Sequence, residues 1–244
     1  MISKHNFIIK HQDGSEYNLH NYGIWVHDFI ISSPNFDTDT QQLRRKERIK
    51  KRVPKSRDVD IELLLQTDSM EELDEMIHLI YRIFYSYDEM EIIRDLTPDK
   101  RIFAVQEQSY GIDSITCEDG EININLKMYD PYVYSLEKTI NVVESETPYS
   151  IGGLEPTEWK AKSVFTAATD SYVLNSEDGR LVINYDFKIN DILEIDYKER
   201  LLLLNGYVID VGLSLESIWF ELKSGLNKLS ATNKTEIYFS ERHY

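Results

Sequence analysis

Between Arg57 and Phe84 the period of the apolar positions changes. Val59, Ile61, Leu63 and Leu65 alternate with Asp60 and Glu62, Leu64 being the one break, which is the two-residue repeat of a strand with one buried face. Met70, Leu73, Met76, Ile77, Ile80, Ile83 and Phe84 then fall within about 140° of arc at the helical repeat, opposite Glu71, Asp74, Glu75, His78 and Arg82, so the spacing predicts a helix with one buried side. Asp68 followed by Glu71 predicts a capping box at its start. A sheet covered by a single helix is the expected nucleus.

Elsewhere the two-residue repeat prevails. A short strand at 7–9, a turn at Asp13-Gly14 and an apolar run over 24–31 predict a hairpin. Residues 32–56, with Pro34 and Pro54 among them, show no periodicity and read as a long loop or arm, a length that compact domains keep for function. Ile122, Ile124, Leu126 and Met128 alternate with Glu121, Asn123, Asn125 and Lys127. Polar residues, Pro148 and the pair Gly152-Gly153 then break the pattern over 136–153. Beyond them come strands only, at 181–187, 192–196, 200–204, 207–211, 218–222 and 236–240. Turns at Asp178-Gly179, Lys198-Glu199, Asn205-Gly206 and from Gly225 to Asn227 separate them. The expected class is mainly β, a β-rich α+β chain, with a first domain over 1–140 and a β-sandwich over 141–234.

Composition narrows the function classes. The chain has 244 residues, 41% hydrophobic, with 10 glycines and 6 prolines, enough for a folded core. Tyrosine occurs 16 times, as in strand-rich or interface-rich proteins. Cys117 is the sole cysteine, which excludes an intrachain disulfide. The start of the chain lacks the apolar core of a signal peptide and no window approaches a membrane span, so a reducing cytoplasm is the expected place of synthesis, with no membrane partner. The net charge of −16 argues against nucleic acid as a partner. The charge is uneven, however: nine cations and the single anion Glu47 give residues 44–57 a net +8, leaving −24 for the remainder.

No motif supplies chemistry. The chain has no GxSxG, P-loop, GxGxxG or HExxH run, and its six histidines show no ligand spacing. Glu118 and Asp119 beside Cys117 oppose a thiolate. The chain is therefore expected not to be an enzyme and to carry no cofactor and no metal. The basic segment supports three readings: a solvated loop, a contact with nucleic acid, or an arm of Arg44, Arg45, Lys46, Arg48, Lys50, Lys51 and Arg52 that docks on an acidic surface of another copy. No aromatic residue interleaves these cations, so the stacking platform for a single strand is missing.

The run from 128 to 135, MYDPYVYS, after a strand entering a helix and a second alternating strand, resembles the close of the N-terminal domain of siphophage distal tail proteins. In the second half Ile195-Asp196, Leu204-Asn205-Gly206, Trp219 with Leu222, the run from Lys223 to Asn227 and the terminal EIYFSERHY with Arg242 are similar to the same family's C-terminal domain. The resemblance implies a structural virion protein of the phage tail tip. It implies a homohexameric ring joining the tail tube protein to the tail hub or baseplate, assembled in the host cytoplasm, and a galectin-like outer sandwich that supports receptor-binding proteins. It also implies that the last strand, 235–244, returns to the first domain. The members' glycines are replaced by cations over 44–57, which makes a neighbouring subunit the expected contact of the arm. The alternative is a carbohydrate-binding accessory protein of β-sandwich type, for which Trp159 and Tyr172 are the candidate stacking rings, whereas Trp219, between Ile218 and Phe220, reads as core or interface.

Overall fold

A computed structural model describes residues 3–43, 46–114, 116, 119–209 and 212–244. The chain is mainly β, with one long helix. Contacts divide it into two units, Met1–Val133 with Tyr244, and Tyr134–His243.

The first unit holds β1 (Phe7–Lys10), β2 (Glu16–Asn18), β3 (Trp25–Ile31), β4 (Phe36–Leu43), β5 (Lys46–Pro54), β6 (Arg57–Gln66), α1 (Met70–Phe84), β7 (Met90–Arg94), β8 (Lys100–Gln106), β9 (Ile112–Ser114) and β10 (Asp119–Met128). Seven strands follow the order β2-β1-β7-β8-β10-β6-β3, with β9 added to β10. The long pair is β6 with β10, antiparallel from Arg57↔Met128 to Gln66↔Asp119. Its alternation puts Val59, Ile61, Leu63, Leu65, Ile122, Ile124, Leu126 and Met128 into one core. Although four strands separate β1 from β3 in this order, the rings of Phe7 and Phe29 lie 5.1 Å apart, so the sheet curls until its ends nearly meet. The helix closes this core with Leu73, Ile80, Ile83 and Phe84.

Three expectations are corrected here. The cap of α1 is Ser69, which accepts from the Glu72 N–H, while the Glu72 carboxylate accepts from Asp68 N; the box sits one residue later than Asp68 and Glu71, and leaves Met70 exposed. The turn at Asp13-Gly14 joins β1 to the short β2, while the 24–31 run becomes β3 and pairs with β6. Residues 32–56 are no structureless loop: β4 and β5 form a hairpin of their own.

The division falls within β11 (Val133–Ser135), and the second unit goes on with β12 (Lys138–Val142), β13 (Thr147–Ile151), β14 (Trp159–Val164), β15 (Thr169–Ser176), β16 (Gly179–Phe187), β17 (Ile192–Asp196), β18 (Leu201–Leu204), β19 (Tyr207–Val208), β20 (Gly225–Ala231), β21 (Thr235–Phe239) and β22 (Arg242–His243). A six-stranded sheet, β12-β21-β14-β17-β18-β19, and a four-stranded sheet, β13-β20-β15-β16, bury Leu174, Leu181, Ile183, Leu193, Ile195 and Ile237 in a common core. Asn205 and Gly206, both at positive φ, make the tight turn between β18 and β19. The expected strand at 218–222 is reduced to isolated bridges, Arg180↔Ile218 and Thr157↔Leu222. The closing segment is divided: β21 lies between β12 and β14, whereas Tyr244 groups with the first unit.

Candidate functional site

The basic segment begins at a rigid root. Ser32 N donates to the Asp58 carbonyl at 2.8 Å, and the Ser32 hydroxyl accepts from Asp58 N at 2.8 Å. The Lys55 N–H donates to the Asn35 carbonyl at 2.8 Å. Arg57, only 5% exposed, donates from Nε to the Ser32 carbonyl at 2.7 Å and from Nη1 to the Pro131 carbonyl at 3.1 Å. Burial draws its guanidinium pKa below the ordinary value. Arg57 is thus a buried anchor, although its place in the sequence puts it among the cations of the arm.

Beyond the root the backbone pairs from Phe36↔Pro54 to Leu43↔Lys46, with Lys50 as the extra residue of a bulge. β5 is exposed over almost its whole length. The register puts Lys46, Arg48 and Lys51 on one face of the pleat, with Ile49 and Arg52 on the other beside Phe36. Arg52 stacks over the Phe36 ring, 3.7 Å from its centroid, and Phe36 in turn meets Tyr244 edge-on at 5.7 Å. Lys46, Arg48, Lys50 and Lys51 make no ion pair among the described residues, and Ile49 and Val53 are 61% and 41% exposed. Arg44 and Arg45 lie outside the described residues, as does Cys117. Of the candidate arm residues, the structure therefore brings five onto one wet strand. Four of the cations are unpaired, which is costly in a protein unless water or a partner surrounds them.

The sugar-stacking candidates are core residues. Trp159 is 2% exposed and donates from Nε1 to the Phe220 carbonyl at 2.8 Å; Tyr172 is fully buried, bonded to the Thr235 hydroxyl at 2.8 Å. Burial pushes the Tyr172 phenol pKa up, so it stays protonated. Trp219 is only partly buried, with Arg200 over its ring at 4.8 Å. The open face of the six-stranded sheet offers a shallow groove, but its charges are already matched across strands. Lys160 pairs with Asp196 at 2.9 Å and Lys162 with Glu194 at 3.0 Å. Burial raises the Asp196 pKa, and the Lys160 ammonium and nearby N–H groups outweigh it, leaving that carboxyl below its usual range. Among the described residues no cluster of His, Cys, Asp and Glu forms a metal site.

One feature escaped the sequence reading. Tyr81, Tyr85 and Tyr87 are 42%, 60% and 88% exposed, beside the acidic side of α1. Glu71, Asp74, Glu75, His78, Tyr81, Arg82 and Tyr85 recur at helical spacing. The spacing itself was legible, but tyrosine counts equally as core or surface.

Two family models match in order: a phage tail protein RIFT-related domain over residues 12–128, and the C-terminal domain of a siphovirus-type tail component over 152–243. The distal tail protein of Bacillus phage SPP1 is 33% identical over 128 residues, which is 50% of this chain. That match spans about half, 51%, of the length of the curated relative. The crystal structure of SPP1 Dit, described as a paradigm of the hub adsorption apparatus in Gram-positive infecting phages, has the same fold. Its TM-score is 0.83 at 19% identity, over 97% of this chain and 98% of that one. A chain of the phage P2 baseplate in its activated conformation with Ca superposes with a TM-score of 0.56 at 8% identity, over 97% of both chains. With both tail-component domains present in order on this shared fold, the chain belongs to the siphophage distal tail protein family.

Proposed function

We propose that this chain is a structural component of a phage tail tip, built into the distal end of the virion tail as a homohexameric ring between the tail tube protein and the tail hub or baseplate. The first unit forms the ring, each hairpin arm reaching the neighbouring subunit through Arg44, Arg45, Lys46, Arg48, Lys50, Lys51 and Arg52. The second unit projects outward and supports receptor-binding proteins. The role is architectural rather than catalytic. The observation that carries this reading is the fold shared with the SPP1 protein over nearly the whole of both chains. The hairpin adds to it: a strand of unpaired cations on a chain of net charge −16 favours another copy as its contact and discourages random stacking of the like-charged bodies.

The test is the mass of the purified protein by light scattering at low and high salt. One chain is 28.7 kDa. A particle of six chains that loosens as salt rises is the expected result, since salt screens exposed charge pairs. A monomer at every salt and protein concentration would overturn the ring.

A further inference from the structure

We infer that the acidic and tyrosine-bearing side of α1 in a second copy receives the basic arm. This deepens the ring reading and rests on it.

The outer stripe of α1 begins with Glu71, Asp74 and Glu75, all exposed. It continues through Tyr81 and Tyr85 to Tyr87, whose ring lies 5.4 Å from that of Tyr85. Seven carboxylates and the single cation Arg82 stand between Asp68 and Glu89. The only side-chain ion pair these carboxylates make among the described residues is Asp74 with His78, at 3.6 Å and with both side chains exposed. Exposed tyrosines beside carboxylates suit lysine and arginine twice over, through the charge and through the ring face.

The lengths agree as well. From Glu71 to Tyr85 the helix rises about 21 Å, and from Lys46 to Val53 the strand extends about 23 Å. Laid along the stripe from Glu71, Lys46 and Arg48 meet the carboxylates, while Lys51 and Val53, on the same face, reach the level of the tyrosines.

The other acidic surface, the open face of β3, β6 and β10, is less suited. Asp60 already accepts from Asn125 at 2.6 Å, Asp58 holds Lys127 at 2.8 Å and Glu62 faces His27 at 3.8 Å. Docking there would break pairs the chain has already made.

The test uses full-length chains and charge reversal at exposed positions, with circular dichroism to check folding. Variant one carries Lys46→Glu, Arg48→Glu and Lys51→Glu; variant two carries Glu71→Lys, Asp74→Lys and Glu75→Lys. Each alone is expected to raise the protein concentration needed for assembly about a hundredfold, because like charges then face each other. Mixed, they restore assembly, since reversed arms meet reversed helices and native arms meet native helices around the ring. Loss of assembly in variant one without loss in variant two would overturn the helix as acceptor and leave the arm reading standing. Assembly unaffected by variant one would overturn the arm itself. Failure of the mixture to assemble when each variant is folded would overturn the direct pairing of arm with helix.

Discussion

Glu241, only 8% exposed, is a carboxylate held in the second unit by partners of unequal exposure. Lys138 reaches its Oε1 at 2.6 Å, and Gly152 donates its N–H to the same oxygen at 2.8 Å. A Cβ at Gly152 would stand 2.5 Å from that oxygen, so a larger residue there would displace the Glu241 carboxylate. Burial raises the Glu241 pKa, but Lys138, the Gly152 N–H and His243 together pull it below the ordinary 4.5. A pKa lowered by folding contributes stability that is complete above the unfolded value and is lost as pH falls through the folded one. The thermal midpoint of the protein should therefore exceed that of Glu241→Gln near neutral pH, with the gap closing below about pH 4.5. A gap that stays constant from pH 7 to pH 3 would contradict this. Nothing in the local sequence announces the site, since its members lie more than a hundred residues apart in part of the network: Glu241 N donates to the Ser135 hydroxyl across 106 positions. Trp159 eluded the sequence for a related reason. It opens a strand whose inward partners are Ala161 and Ser163, small residues that give no apolar alternation to reveal a buried face.

Among the elements, the hairpin is held by its root rather than by a sheet, since β4 and β5 pair only with each other. Arg57 is the anchor, with two donors on two carbonyls, and Arg57→Ala would orphan both acceptors. Denaturant unfolding should show a loss of about 2–4 kcal/mol, with little rescue from Arg57→Lys, whose single ammonium cannot reproduce the fork. An unchanged midpoint would mean that the root is held elsewhere. Strands β6 and β10 and helix α1 were legible because each has one wet and one dry face, and that contrast is what periodicity detects. The hairpin is wet on both faces, with Lys and Arg along β5 and Thr, Asp and Gln along β4, so its two-residue repeat carries no contrast. The bulge at Lys50 shifts the phase besides. Its charge, by contrast, was legible without any structure, and it singled out the element whose conformation the sequence left open. The pairing of β3 with β6 was hidden because proximity along the chain favours the nearer strand, while curling of the sheet rewards the distant one.

At the scale of the molecule, each unit is closed around its own apolar core. The first draws on residues from Phe7 to Met128 and the second on residues from Val142 to Phe239, with no member in common. The second core is dense in aromatic rings: Phe165 stacks on Phe187 at 4.1 Å, and Trp159 lies between Phe220 at 5.3 Å and Tyr197 at 5.8 Å. Its two sheets share that core without needing a side chain from the first unit, and at about 110 residues it is of a size that unfolds in one step. The fragment 134–243 should accordingly fold alone and melt cooperatively. In the fragment carrying Trp219→Phe, Trp159 provides the readout, because a buried indole bonded to a carbonyl emits to the blue of one in water and shifts red when the core opens. A fragment with red-shifted emission and no cooperative transition would show that this core depends on the first unit. A fragment that folds would let the ring-forming and outward parts proposed for the chain be assayed separately for their partners, which the intact chain, with both functions covalently joined, does not allow.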